Sequence, residues 1–157
     1  MEKLIEKGQI LQRAGDLNSK VYLVQSGLLR SYSIDRKGRE HIFMFAPEDW
    51  IVGDAIPPQQ PCELFIDAIE TSTVWVYEKD PEISMIDKER IRKRLEVIQK
   101  RLIMLMSATA LERYEHFLRT YPDIVQRVPQ RMIASFLGIT PEALSKIKGR
   151  RRKDKGS

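Results

Sequence analysis

The sequence predicts an α+β fold: an antiparallel β-sandwich or roll first, one long helix next, and a helix-turn-helix at the end. Three observations predict this order. Short apolar runs separated by glycine and proline turns fill the first half of the chain. From residue 88 the hydrophobic spacing changes from about 2 to about 3.6 residues, which is the helical period. Between residues 129 and 148, two short helical patterns flank a glycine.

The predicted strands of the first half are short and closely spaced. Turn signals such as Gly15-Asp16 and Ser26-Gly27 and a proline-rich loop at residues 57–61 separate them. The run at residues 74–77 has the β-branched and aromatic side chains that favour strands. The predicted strands lie at residues 4–5, 10–11, 21–24, 28–34, 41–45, 50–52, 64–69 and 71–77.

Residues 88–108 form a predicted helix with an apolar seam whose spacings alternate between four and three, as in a coiled coil. Such a helix can lie on the roll with one face and pair with a second subunit through the other, so we expect a homodimer. Burial of the whole helix inside a monomer is the alternative. The neighbouring cations Arg90, Arg92, Lys93 and Arg94 are expected on a solvated face. The predicted dimer interface consists of Ile91, Leu95, Ile98, Leu102 and Leu105.

The helix-turn-helix prediction depends on the turn between the two short helical patterns. Gly138 ends the first, because glycine accepts the left-handed backbone of a C-terminal cap. Thr140 can accept a hydrogen bond from the next turn, and Pro141 suits the first helical position. Ala134 is small enough for the second helix to cross closely. Another amphipathic helix precedes this pair at residues 109–121, with one further turn at 123–127.

Charge is distributed unevenly along the chain. Residues 1–87 hold 9 Lys and Arg against 15 Asp and Glu, a net charge of −6, whereas residues 88–157 hold 18 against 7, a net charge of +11. A basic second half predicts nucleic acid as its partner. A membrane surface is not favoured, because the cations do not lie opposite a broad apolar face. Cys62 is the only cysteine, which excludes a disulfide framework or thiolate metal cluster and fits a reducing cytoplasm.

An acidic roll, a long helix and a terminal helix-turn-helix, in this order, resemble the Crp/Fnr family of bacterial transcription regulators. The segments GQILQRAGD, VYLVQSG and EDWIVGDA are similar to its early strands and to the start of its ligand cassette. The segment LGITPEALSKI is similar to its turn and recognition helix. The resemblance implies a double-stranded β-helix (jelly-roll-like) sensor of the cyclic-nucleotide-binding kind at residues 1–87, a dimerisation helix at 88–108 and a DNA-binding domain with a basic tail at 109–157.

The resemblance also implies a function: a cytoplasmic, sequence-specific transcriptional regulator and not an enzyme. An effector-sensing roll would be coupled through the dimer helix to the helix-turn-helix. The implied partners are double-stranded DNA, a second copy of the chain, RNA polymerase and a small-molecule effector of unknown identity, with no membrane among them.

Base-reading positions are carried over from the family onto Pro141, Glu142, Ser145 and Lys146. Glu142 can accept from a cytosine amino group and Lys146 can donate to guanine, whereas Pro141 lacks the donor of the arginine that is common there. Thr140 would meet a phosphate. The cations that follow are expected beyond the helix and on phosphates. The complete predicted DNA-binding set is Thr140, Pro141, Glu142, Ser145, Lys146, Lys148, Arg150, Arg151 and Arg152.

The effector cassette departs from the family's pattern. Its cAMP binders use Gly-Glu for the ribose and Arg-Ser for the phosphate, but here Gly53-Asp54 and Cys62-Glu63 stand at these places. A site with Glu63 and no arginine should repel a phosphate, so cAMP is expected to bind weakly or not at all, and no cofactor is predicted. The candidate effector pocket consists of Gly53, Asp54, Cys62, Glu63, Ile98 and Gln99.

Two features of the family have no counterpart in this sequence: the helix before the first strand, which indicates a short start or a trimmed chain, and the β-hairpin wing after the recognition helix. The basic tail is expected to take over the phosphate contacts of the wing. Two alternative functions stay open. One is a small-molecule-binding β-roll module without DNA binding. The other is a cupin-like metalloenzyme, which His41 and His116, without an HxH pair, do not favour.

Overall fold

The computed structural model describes residues 1–79 and 88–156. The chain divides into two compact units, residues 1–96 and residues 97–157. The division falls within the long helix α1 (Lys88–Ser107), which therefore contributes its first turns to one unit and the remainder to the other. The domain boundary predicted at residue 87 lies outside the described residues.

The strands of the first unit pair into two four-stranded antiparallel sheets. The spatial order is β1-β8-β3-β6 in one sheet and β2-β7-β4-β5 in the other. Each predicted strand is present, with its bounds shifted by at most two residues at either end. The strands are β1 (Glu2–Ile5), β2 (Ile10–Gln12), β3 (Val21–Ser26), β4 (Leu29–Ile34), β5 (Glu40–Ala46), β6 (Ile51–Gly53), β7 (Phe65–Ala68) and β8 (Ser72–Tyr77).

The core of the roll comes from alternate residues of both sheets. Val24 and Val74 of one sheet pack into the same buried cluster as Leu29, Ile66 and Ala68 of the other. This inward-facing alternation is the reason why the strands had a period of two in the sequence. The resulting α+β fold, an antiparallel roll followed by helices, confirms the predicted fold class.

A close approach of the backbone occurs where the turn Ser26-Gly27 enters β4. Gly27 has φ +89°, and a Cβ atom at that position would lie 2.6 Å from the carbonyl oxygen of Thr71. Any side chain would therefore collide with the neighbouring strand connection, which explains the glycine on steric grounds.

A buried ion-pair network ties three strands of the second sheet together. Nε and Nη2 of Arg30 donate to the two carboxylate oxygens of Asp67 at 2.8 and 2.9 Å, and Nη1 donates to Glu40 at 2.6 Å. The guanidinium lies 4.2 Å from the centre of the Tyr32 ring, which stacks on Phe65. Burial opposes the charge on Arg30, but the hydrogen bonds to Asp67 and Glu40 outweigh it and raise the pKa of the guanidinium.

The first turns of α1 are held by the first unit through two of the cations that the sequence placed on a solvated face. Nη2 of Arg90 pairs with Asp49 at 2.7 Å, and Nη2 of Arg94 donates to the carbonyl oxygen of Gly53 at 2.5 Å. Arg94 is half-buried, so the prediction of a fully solvated face was wrong at that position. Arg92, by contrast, is exposed and bonds along the helix to Glu89 and Glu96.

The second unit packs the end of α1 with four shorter helices. Thr109 caps the first of these by accepting from the backbone N–H of Glu112, whose carboxylate accepts in return from the N–H of Thr109. Buried aromatic rings, those of Phe117, Tyr121 and Phe136, contact each other at the centre. The helices are α2 (Ala110–Thr120), α3 (Ile124–Arg127), α4 (Gln130–Leu137) and α5 (Pro141–Lys155).

Over residues 1–79 and 88–156, every helix is too short or too polar to cross a membrane.

Candidate nucleic-acid interface

The turn between α4 and α5 has the geometry that the sequence predicted. Gly138 is left-handed, with φ 69° and ψ 33°. Its N–H donates to the carbonyl of Ser135 at 3.2 Å, and the N–H of Ile139 donates to Ala134 at 3.1 Å. These bonds satisfy carbonyls that the end of α4 would otherwise leave free. Three residues, Gly138 to Thr140, thus join two helices in a helix-turn-helix.

The start of α5 is fixed by its cap. Oγ1 of Thr140 accepts from the backbone N–H of Ala143 at 3.1 Å, and Pro141 occupies the first helical position. Both features were predicted, and together they set where the helix begins.

α5 presents two different faces over its first two turns. Leu144 and Ile147 are buried in the second unit. Glu142 and Lys146 are exposed and four residues apart, which brings their Cβ atoms to within about 6 Å of each other. We call the exposed side the reading face, and it consists of Pro141, Glu142, Ser145 and Lys146.

The cationic run is part of the helix, which corrects the sequence prediction that Arg150, Arg151 and Arg152 lie beyond it. α5 continues to Lys155. Arginine and lysine are good helix formers, and cations near a C-terminus interact favourably with the helix dipole. These terms offset the cost of Gly149, which is about 1 kcal/mol in a helix interior.

A helical run distributes its cations around the axis. At about 100° per residue, Lys153 returns to the same side as Glu142 and Arg150 flanks it, whereas Arg151 lies about 180° from Glu142. The predicted phosphate contacts therefore do not form one group. Arg150 accompanies the reading face, and Arg151 points to the opposite side.

Two arginines that the sequence analysis did not select hold the C-terminal end of α4. Nη2 of Arg101 donates to the carbonyl of Phe136 at 2.9 Å, and its guanidinium lies 3.9 Å from the centre of the Phe136 ring. Arg113 donates to the carbonyls of Leu137, at 3.3 Å, and Leu105, at 3.0 Å. Burial lowers the pKa of Arg101 to about 10. Both arginines fix the helix end that leads into the turn.

The cassette residues of the first unit come together, but their polar groups are occupied by the protein itself. Asp54 is buried, and its carboxylate accepts from the backbone N–H groups of Ile56, Glu63 and Leu64, each at 2.8 Å. It therefore organises the loop between β6 and β7 and does not offer an oxygen to a ribose. Glu63, its neighbour in this loop, is exposed.

Cys62 and two cations complete this loop. The Cys62 thiol is buried and donates to the carbonyl of Arg13 at 2.9 Å, and burial raises the pKa of the thiol. Nζ of Lys79 donates to the carbonyl of Ile56 at 2.9 Å and to Ser19 at 2.6 Å. Burial lowers the pKa values of both Lys79 and Arg94. Arg94 binds the carbonyl at the end of β6 and Lys79 binds one in the loop that follows. Sequence reasoning missed both cations because they come from outside the cassette.

The other two candidate pocket residues lie in the second unit: Ile98 is half-buried and Gln99 is exposed.

The predicted dimer seam is open to solvent in the single chain. Leu95 is 64%, Leu102 57%, Ile91 46% and Leu105 37% exposed. The alternative of burial inside the monomer is therefore not what the described helix shows.

The two histidines have local partners. Nε2 of His41 lies 2.9 Å from a carboxylate oxygen of Asp35, and His116 contacts Thr120. Within residues 1–79 and 88–156, side chains of the metal-binding types form no group that could hold an ion.

A jelly-roll-like β-roll together with an exposed helix-turn-helix reading face defines a DNA-binding transcriptional regulator. Comparison with known proteins supports the same class. Residues 2–89 match the cyclic nucleotide-binding domain family. The chain is 31% identical to the fumarate and nitrate reduction regulatory protein of Vibrio cholerae serotype O1, covering 97% of this chain and 69% of that protein. The anaerobic regulatory protein of Haemophilus influenzae is 27% identical over 97% of this chain and 67% of its own length.

Solved structures show the same fold. FixK2 from Bradyrhizobium japonicum has a TM-score of 0.79 at 21% identity, covering 98% of this chain and 85% of that one. A CRP/FNR-family regulator from Thermus thermophilus has a TM-score of 0.80 at 16% identity, covering 98% of this chain and 87% of that one. The chain belongs to the Crp/Fnr family of transcriptional regulators, which confirms the prediction from its motifs.

Proposed function

We propose that the chain acts as a homodimer that binds an inverted-repeat operator by inserting α5 of each subunit into the major groove. Glu142, Ser145 and Lys146 contact base edges, and Thr140 contacts a phosphate at the start of the helix. Arg150 and Lys153, on or beside the reading face, contact the backbone farther along. Of the remaining predicted phosphate contacts, Lys148 and Arg151 lie on the other side of the helix, and Arg152, about 80° from Glu142, borders the reading face on the flank opposite Arg150.

One observation carries this proposal: Glu142 and Lys146 are exposed on a helix whose opposite side is anchored by Leu144 and Ile147. This arrangement keeps the two polar side chains at a fixed spacing and directs both of them away from the packed side of the helix. The exposed seam of α1 supports the dimer, because aliphatic side chains at a coiled-coil spacing are stabilised when a partner helix covers them. Two subunits related by a twofold axis require half-site centres about 10 base pairs apart.

The proposal extends to the other partners. The protein works in the cytoplasm, has no catalytic activity and acts on transcription through contact with RNA polymerase. Any effector of the roll is an apolar small molecule and not a cyclic nucleotide, because Cys62 and the exposed Glu63 stand at the positions aligned with the phosphate-binding Arg-Ser pair. Leu64 and Phe65, both half-buried, adjoin it.

Selection from a random duplex library by the purified chain, followed by affinity measurements on single-base variants of the selected operator, tests this function. We expect an inverted repeat. Glu142→Ala should relax the preference at one base pair of each half-site by roughly 1–3 kcal/mol, because one specific base contact is lost.

The matched control is Glu115→Ala, since Glu115 is a half-buried acidic residue on α2, away from the reading face. It should leave all base preferences unchanged. Selection without any repeat, or a Glu142→Ala variant with unaltered preferences, would show that another face reads DNA.

A further inference from the structure

A small cavity lies beside the C-terminal half of α5, in the second unit. Its volume is about 80 Å³. Tyr114 of α2, which is only 4% exposed, forms one wall. The other lining residues are all cationic: Lys148, Arg151, Arg152 and Lys155.

Lys148, Arg151 and Lys155 continue the anchored side of α5, whereas Arg152, about 80° from Glu142, lies at the border with the reading face. Arg151 is four residues after the buried Ile147 and seven after the buried Leu144, so the three share one stripe. Lys148 and Arg151 are half-buried, as expected for residues where the buried stripe emerges beside α2. A stripe that begins with leucine and isoleucine therefore ends with positive charges beside a buried tyrosine, and Arg152 joins them from the edge of the stripe.

This grouping is electrostatically unfavourable for the chain alone. Lys148 and Arg152, and likewise Arg151 and Lys155, stand at i and i+4, where like charges repel. Among the described residues, hydrogen bonds and ion pairs join none of the four to a carboxylate. An anion in the cavity would offset this repulsion by attracting each cation, and the guanidinium groups of Arg151 and Arg152 match the geometry of phosphate oxygens.

We propose that Tyr114, Lys148, Arg151, Arg152 and Lys155 form a binding site for a single phosphate group, separate from the surface that reads the operator. The cavity has room for one tetrahedral anion. Because Arg151 lies about 180° from Glu142, the bound group does not belong to the operator segment that the reading face contacts. Its source is a small phosphate-bearing molecule, and the inference does not depend on which bases are read.

The test compares two variants that remove one positive charge at adjacent positions, Arg151→Gln in the cavity and Arg150→Gln outside it. Binding of inorganic phosphate to the full chain is measured by phosphorus NMR titration, with sodium chloride at matched ionic strength as the reference. The same three proteins are titrated with operator DNA at several salt concentrations. Circular dichroism without phosphate verifies that each variant is folded.

We expect phosphate to bind the wild type and Arg150→Gln equally. Arg151→Gln should lower phosphate affinity by roughly tenfold or more, as for the loss of one charge-assisted hydrogen bond. Arg150→Gln should reduce the slope of log affinity for DNA against log salt concentration by about one unit, as for the loss of one phosphate contact. Arg151→Gln should leave this slope unchanged. Tyr114→Phe, which keeps the packed ring, should weaken phosphate binding without altering DNA binding.

Three results would overturn the proposal. The first is a wild type that responds to phosphate no more than to chloride. The second is an equal loss of phosphate binding in both variants, which means diffuse attraction to a cationic helix. The third is an equal reduction, in Arg151→Gln and Arg150→Gln, of the slope of DNA affinity against salt concentration. That result would mean that the cavity contacts a phosphate of the operator.

Discussion

At the scale of single residues, several buried or half-buried polar side chains bind backbone atoms. Asp54 binds three N–H groups of the loop between β6 and β7, Arg94 binds a carbonyl of the same region, and Arg101 binds the last turn of α4. Asp54 thereby orders an irregular loop, whereas Arg94 and Arg101 hold the ends of β6 and α4. Removing such a side chain leaves backbone groups without partners, which costs more than the contact contributes.

Arg101→Met is expected to destabilise the second unit by about 1–3 kcal/mol, because the carbonyl of Phe136 loses a charged donor while methionine keeps much of the aliphatic volume. Urea unfolding followed by helical circular dichroism measures the change. Operator affinity should fall as well, since the end of α4 leads directly into the turn before the reading face.

Arg92→Met provides the control for this prediction. Arg92 is on the same helix but exposed, and its bonds to Glu89 and Glu96 are surface ion pairs, which contribute little. Equal destabilisation by the two substitutions would mean that Arg101 has no particular role in holding α4.

At the scale of elements, α1 is the part of the chain whose exposed side requires explanation. Every residue of this helix that the structure describes is at least partly exposed, although its seam residues are aliphatic. The short helices of the second unit, in contrast, bury one clear face each, as Phe117 and Ile133 show. An apolar seam on the solvent-exposed side of α1 is consistent with a partner helix that packs against it.

Leu102→Glu is expected to convert the dimer to a folded monomer. Leu102 lies in the seam and is 57% exposed in the single chain, so a carboxylate there is hydrated in the monomer but desolvated in a dimer. Ile98→Glu should act in the same direction but also lower stability, because Ile98 is half-buried. Size-exclusion chromatography with light scattering measures the mass.

Gln99→Glu introduces the same charge on the same helix at an exposed, polar position outside the seam, and it should leave the dimer intact. A wild-type chain of monomer mass at micromolar concentration would contradict the dimer itself. A Leu102→Glu variant that remains dimeric would place the interface on another surface.

At the scale of the whole molecule, the organisation was largely predictable. Strand and helix positions followed from hydrophobic period and from turn residues such as Gly138, which act locally. The contacts of Asp54, Lys79 and Arg101 were not predictable, because they depend on which backbone groups are left unpaired in the fold. The basic run was predicted to be a tail because it has no apolar face. It is helical because its residues favour helix and because it continues a helix that Leu144 and Ile147 anchor.

The β-roll is expected not to respond to cAMP. The N–H groups of Glu63 and Leu64 already donate to Asp54, and Glu63 adds a negative charge where the phosphate would lie. Isothermal titration calorimetry should give no heat of binding at micromolar concentrations, and operator affinity should be the same with and without the nucleotide. Saturable binding in the micromolar range would contradict this prediction, and Asp54→Asn would then reveal whether the carboxylate takes part.

The length of α5 has a consequence for how the protein occupies a promoter. Fifteen residues make a rod about 22 Å long, whereas the major groove is about 12 Å wide, and the reading face takes up only about the first 8 Å. With the reading face in the groove, as proposed above, the rest of the rod extends roughly 14 Å beyond it. If both proposals hold, a phosphate bound beside Tyr114 lies at a fixed distance from the bases, because the same helix α5 makes both contacts.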